Sequence, residues 1–279
     1  MNPQSHIKRV IALLAASMAI EVNLLAGIGN LPDAAYHGLH VALMAALVAS
    51  QFALYLSARP TSRHAAYAFW FALGMAATTI GDYVNGAMSG VEPASLKLSW
   101  ALLLFGAGYS VYVWVMWRHD RELMSTRGAG QGWTRYGFAL AVPIAAFNLL
   151  AWIKHVEPGV AAHALLYYGS FVFNLTIYVA MPLLALRYAR HCAWQAGGLI
   201  VLVGALLLPY SDLILFGSWL RGGADPAVPS FELYAYNWIV YFSGQALMSL
   251  FPALVMQAGS IESRSCQGVF SFRRDAGCD

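Results

Sequence analysis

Two aspartates sit inside apolar runs, where a carboxylate is expensive and marks a candidate functional site. Asp82 follows Gly74-Met-Ala-Ala-Thr-Thr-Ile-Gly81, and Asp212 follows Gly204-Ala-Leu-Leu-Leu-Pro-Tyr-Ser211, 130 positions later. In both stretches a glycine precedes the aspartate by eight residues, and a tiny residue (Gly81, Ser211) stands directly before it. Two carboxylates sharing a low-dielectric pocket cannot both ionise easily, which divides them into a proton donor and a base. That pairing suits hydrolysis through an oxocarbenium-like intermediate. One group donates a proton and the other activates water. The spacing leaves open which aspartate takes which role.

Other polar residues fall on helical faces within apolar runs. Thr78, Asp82 and Asn85 stand at i, i+4 and i+7, and Asn237, Tyr241, Gln245 and Ser249 climb in steps of four. Tyr167, Asn174 and Tyr178 share a third face, Ser17 and Glu21 belong to the first run, and Asn148 to the fifth. An unsatisfied polar group in hydrocarbon costs several kcal/mol, so these side chains are expected to converge on an interior pocket. The plainer role is interhelical hydrogen bonding, worth about 0.6–2 kcal/mol a pair. No HExxH, GxSxG or Walker pattern is present. The eight histidines lie at or near the ends of the apolar runs, which argues against a b-type haem. His37 and His40 are expected at an interface, not as metal ligands. Cys192, Cys266 and Cys278 show neither CxxC spacing nor a disulfide framework. No cofactor and no metal are expected.

Positioning such groups falls to membrane helices. The chain is 59% hydrophobic and 10% charged, against roughly 25% charged in a soluble domain. The predicted fold is all-α, a single polytopic membrane bundle over residues 1–279. Eight stretches of the roughly 20-residue bilayer length are predicted as spans, at 9–27, 36–58, 65–88, 96–117, 136–153, 160–188, 193–220 and 233–257, with a cytoplasmic tail at 258–279. The first run, behind Lys8 and Arg9, continues past Glu21 without a clear A-x-A site and is read as a span, not a cleaved leader. With both termini cytoplasmic, 13 of the 16 Lys and Arg residues fall on the cytoplasmic side. Trp117, Trp133, Trp152, Trp194 and Trp219 fall near span ends, as in an aromatic belt. The dispersed net charge of +3 gives no reason to expect a nucleic-acid partner. Asp82 lies 17 residues into the third span and Asp212 19 residues into the seventh. Matching depth and direction suggest two four-helix halves in a parallel repeat.

Gly81-Asp82, Ser211-Asp212 and Tyr241-Phe-Ser-Gly244-Gln245 resemble motifs of the YhhN family of lysoplasmalogenases. Phe105-Gly-Ala-Gly108-Tyr109-Ser-Val-Tyr112 is similar to that family's F-x-x-G/A-H-x-x-Y segment, with Tyr109 where the pattern has histidine. The resemblance covers the third to eighth spans. It implies hydrolysis of the vinyl ether bond of lysoplasmalogens, giving a fatty aldehyde and a glycerophospho-base. On that reading Asp82 and Asp212 are catalytic, and Tyr109, Tyr112, Asn85, Ser211, Asn237, Tyr241, Gln245 and Glu21 line the substrate site. The partner is then a membrane lipid or lysophospholipid, and the location a bacterial inner membrane. The alternatives are a small proton-coupled transporter and a non-catalytic lipid-binding membrane protein.

Overall fold

The computed structural model describes residues 2–29, 31–60, 62–87, 94–127, 173, 175–220 and 230–258. Among these residues the fold is all-helical. Seven helices are formed: α1 (Pro3–Leu25), α2 (Asp33–Ala58), α3 (Ala65–Ala87), α4 (Ala94–Arg127), α5 (Met181–His191), α6 (Ala196–Leu220) and α7 (Phe231–Met248). A π-helical turn, Leu175–Ala180, leads into α5. The predicted span at 136–153 and the first half of that at 160–188 lie outside the described residues, as do Asn148, Tyr167 and Asn174. Among the described residues, three helical stretches are long and apolar enough to cross a membrane: Asp33–Ala58, Lys97–Ser125 and Phe231–Ala258.

The ends of the helices follow local chemistry. The Asn2 side chain accepts from Ser5 N at 2.8 Å, and Pro3 takes the first helical position. Ser230 caps α7 in the same way, accepting from Leu233 N at 3.3 Å. The sequence predicts one unbroken helix through residue 257, yet the chain leaves the helix at Ser249–Leu250 and re-enters it over 251–258. Pro252 explains the break. It has no N–H for the Met248 carbonyl and its ring crowds that group. The loosened Ser249 carbonyl is taken up by the side chains of Gln51 and His6, the latter at 3.2 Å.

Successive helices pack side by side, α1 on α2, α2 on α3, α3 on α4, α4 on α5, α5 on α6 and α6 on α7, and α7 returns to α1. The described helices therefore form a closed ring whose interior is aromatic. Tyr109, Tyr112, Phe71, Phe173, Phe242 and Phe251 are all essentially inaccessible, and Phe71 stacks on Tyr112 with centroids 4.6 Å apart.

Two glycine crossings set the spacing of the ring. A Cβ on Gly108 of α4 would fall 2.5 Å from the Gly74 carbonyl oxygen of α3 and 2.6 Å from Thr78 Cγ2. A Cβ on Gly244 of α7 would fall 2.8 Å from Leu208 Cδ2, and one on Gly204 of α6 2.9 Å from Leu247 Cβ. These backbones touch, so only glycine fits. Gly74 and Gly204 are the residues eight positions before the two aspartates, so each aspartate rises from a helix pinned to its successor.

This contact makes a direct test. Gly108→Ala is expected to destabilise the protein by about 1–3 kcal/mol, because backbone must move to admit the methyl group. In Gly106→Ala the new Cβ meets Phe173 Cδ2 at an ordinary 3.8 Å, so the change is expected to be neutral or to stabilise by up to about 1 kcal/mol. Thermal denaturation in detergent compares them, and equal stability of the two variants contradicts the close crossing.

Candidate functional site

The two aspartates meet at one cavity. Asp82 on α3 and Asp212 on α6 both line a space of about 30 Å³ enclosed by α3, α4, α6 and α7. At roughly 10–15 Å³ per water, it has room for about two. Asn85, Ser211, Asn237 and Tyr241 complete its polar wall. Leu98, Ala101, Leu102 and Phe105 of α4 form the apolar wall, at i, i+3, i+4 and i+7 on one helix face.

The two carboxylates have different surroundings. Half-buried Asp82 accepts a hydrogen bond from the Tyr241 hydroxyl at 3.0 Å. Asp212 is buried, and its Oδ2 has no hydrogen-bond partner. Beside it, Ser211 Oγ donates to Asn237 Oδ1 at 2.9 Å. A buried polar atom without a partner carries a penalty unless water or a substrate satisfies it, and the adjoining cavity has space for that water.

Behind Asp82 runs a connected chain of polar side chains. Gln245 Nε2 donates to Tyr241 Oη at 3.1 Å and to Tyr109 Oη at 3.3 Å, while Tyr112 Oη donates to Gln245 Oε1 at 2.9 Å. Gln245 thus joins three tyrosines of α4 and α7 in a site from which solvent is excluded. Tyr109, Tyr112 and Gln245, expected to contact substrate, stand behind the cavity wall and hold Tyr241, which does line it. Their reach to Asp82 is through the Tyr241 hydroxyl.

Glu21 is placed elsewhere. It is fully buried, and both carboxylate oxygens are engaged: Tyr36 Oη donates to Oε2 at 2.7 Å and His40 Nε2 lies 2.7 Å from Oε1. His40 is not interfacial either. It is 1% exposed and stacks on Trp238 with centroids 3.7 Å apart. A histidine in the second turn of α2 reads as an end residue in sequence, but Glu21 of α1 and Trp238 of α7 cover it. His37 is half-buried, with Nδ1 3.3 Å from Tyr234 Oη.

Sequence reasoning missed Tyr234, Trp238 and Phe105 on the cavity wall. The signal was present for two of them. Tyr234, Trp238 and Tyr241 lie at i, i+4 and i+7, so the α7 ladder extends one turn below Asn237. Phe105 carries no polar mark.

The Gln245 hub is expected to matter for stability. Gln245→Leu leaves several buried hydroxyls short of a partner, and at about 1–3 kcal/mol for each unsatisfied group the loss should clearly lower the melting temperature in detergent. A Gln245→Leu protein as stable as wild type contradicts the hydrogen-bonded chain.

Comparison with protein-family models, with curated proteins and with solved structures finds no match. The likeness to the YhhN family therefore rests on the short motifs around Asp82, Gly108, Asp212 and Gly244.

Proposed function

We propose that this protein is an intramembrane hydrolase resembling lysoplasmalogenases, cleaving the vinyl ether bond of a single-chain lipid with Asp82 and Asp212. The observation that carries this reading is the shared cavity: two carboxylates, 130 positions apart in sequence, face one water-sized space with unlike partners. Asp212, with an unpartnered oxygen, serves as the proton donor to the β-carbon of the vinyl ether. Asp82, already an acceptor from Tyr241, serves as the base that activates water. The water adds to the oxocarbenium carbon and the hemiacetal collapses to aldehyde and alcohol. Ser211, Asn237 and Asn85 orient the water and the ether oxygen, and the apolar face of α4 guides the chain.

In this proposal the bundle has eight spans in two parallel halves, with both termini cytoplasmic in a bacterial inner membrane. The repeat draws support from the matched crossings, Gly74 against Gly108 and Gly204 against Gly244, each with its aspartate eight residues on. A carrier reading would gain from a helix broken at Asp212, but α6 continues through Pro209 to Leu220. Structural pairing of the aspartates would gain from a bond between them, whereas Asp212 leaves Oδ2 unpartnered.

Purified protein is expected to release fatty aldehyde from a lysoplasmalogen. Asp82→Asn and Asp212→Asn should each lower the rate by about 10²–10⁴-fold, in line with loss of an acid–base group. Tyr241→Phe, which keeps the ring and removes the donor, should retain more activity than either. Full activity in both aspartate variants defeats the mechanism.

A further inference from the structure

The basic end of the bundle holds a second cluster that the proposed chemistry does not use. His64 stands at the entrance to α3, and His119 and Glu122 lie one turn apart on α4. A donor atom from each falls within 4.8 Å of the others. The residues are 55 and three positions apart, a spacing without a metal motif, and only the α3–α4 pairing brings them together.

We propose that His64, His119 and Glu122 bind a borderline divalent cation, zinc foremost, which clamps the start of α3 to the far end of α4. Two imidazole nitrogens and one carboxylate oxygen are a ligand set zinc accepts, with a fourth position left for water. Zinc–ligand bonds of about 2.0–2.2 Å place tetrahedral donors roughly 3.3 Å apart. The widest donor pair here must close by roughly 1.5 Å, within reach of side-chain rotation and without backbone change.

An independent observation points to a ligand. His119 is 8% exposed and its Nδ1 has no hydrogen-bond partner, although ligating histidines normally engage both ring nitrogens. Tyr67 is 3% exposed and its hydroxyl faces the Glu122 carboxylate. The Tyr67 ring lies 5.4 Å from that of His64 and 5.8 Å from that of His119, so it packs against both imidazoles of the cluster.

Two cations oppose the site. Arg63 Nε donates to His64 Nε2 at 3.1 Å, and Arg118 Nε lies 3.6 Å from Glu122 Oε1. Both arginines are exposed, so solvent screens their repulsion and their side chains can swing outward. Asp120, the next carboxylate on α4, is held by Arg187 at 2.9 Å and is not counted as a ligand. The cation stands apart from the proposed reaction. Eighteen residues separate His64 from Asp82, roughly 27 Å along a helix at 1.5 Å per residue.

Metal-free full-length protein in detergent, titrated with zinc chloride against a chromophoric chelator, tests this. One zinc per chain is expected, with His64→Gln and Glu122→Gln each weakening affinity at least tenfold. Arg63→Gln is expected to tighten it. Glu122 is 42% exposed, so its variant should fold even if a histidine variant does not. No zinc binding by wild type, or equal affinity in Glu122→Gln, overturns the proposal. Aldehyde release is a separate readout, so the metal site can fail while the hydrolase reading stands, and the reverse.

Discussion

A carboxylate placed among apolar helices has to be given partners, and the rest of this bundle is arranged around that requirement. Asp82 meets it with the Tyr241 hydroxyl. That hydroxyl also accepts from Gln245, which is held by Tyr112 and reaches Tyr109. One carboxylate thus accounts for four further polar residues on two helices. Asp212 meets the requirement only in part, and one of its oxygens is left to the cavity. On the proposed reading, the contrast gives the site its chemical direction. An acceptor already supplied with a donor is suited to hold a water, and a carboxyl oxygen without one is suited to pass a proton.

The geometry depends on the glycine crossings as much as on the polar groups. At Gly74–Gly108 and Gly204–Gly244 the helices approach to backbone contact. Each crossing lies about two turns below its aspartate, since eight residues rise roughly 12 Å. With α3 pinned to α4 and α6 pinned to α7, the aspartates are held by stiff elements on either side of the cavity. Side chains on loops would drift by more than a proton transfer tolerates.

Much of this could be read from residue types. A lone carboxylate in an apolar run announces itself, and a ladder in steps of four announces a helix face, so Asp82, Asp212, Asn237 and Tyr241 were legible. What was not legible is pairing between helices. Glu21 reads as a site residue until Tyr36 and His40 are seen to take both of its oxygens. His40 reads as interfacial until α7 lays Trp238 across it. The break at Ser249 needed Pro252 to be weighed against an otherwise uninterrupted apolar pattern. The His64–His119–Glu122 cluster leaves no trace in spacing, because it exists only once α3 lies along α4.

The central claim is that a proton from the site is delivered to the β-carbon of a vinyl ether. Turnover of a lysoplasmalogen in heavy water, followed by mass spectrometry of the released aldehyde, tests it most directly. Solvent-derived deuterium must appear on the carbon next to the aldehyde carbonyl, and the saturated alkyl ether analogue must yield no aldehyde. Absence of aldehyde from the vinyl ether, or aldehyde without deuterium at that carbon, contradicts the account.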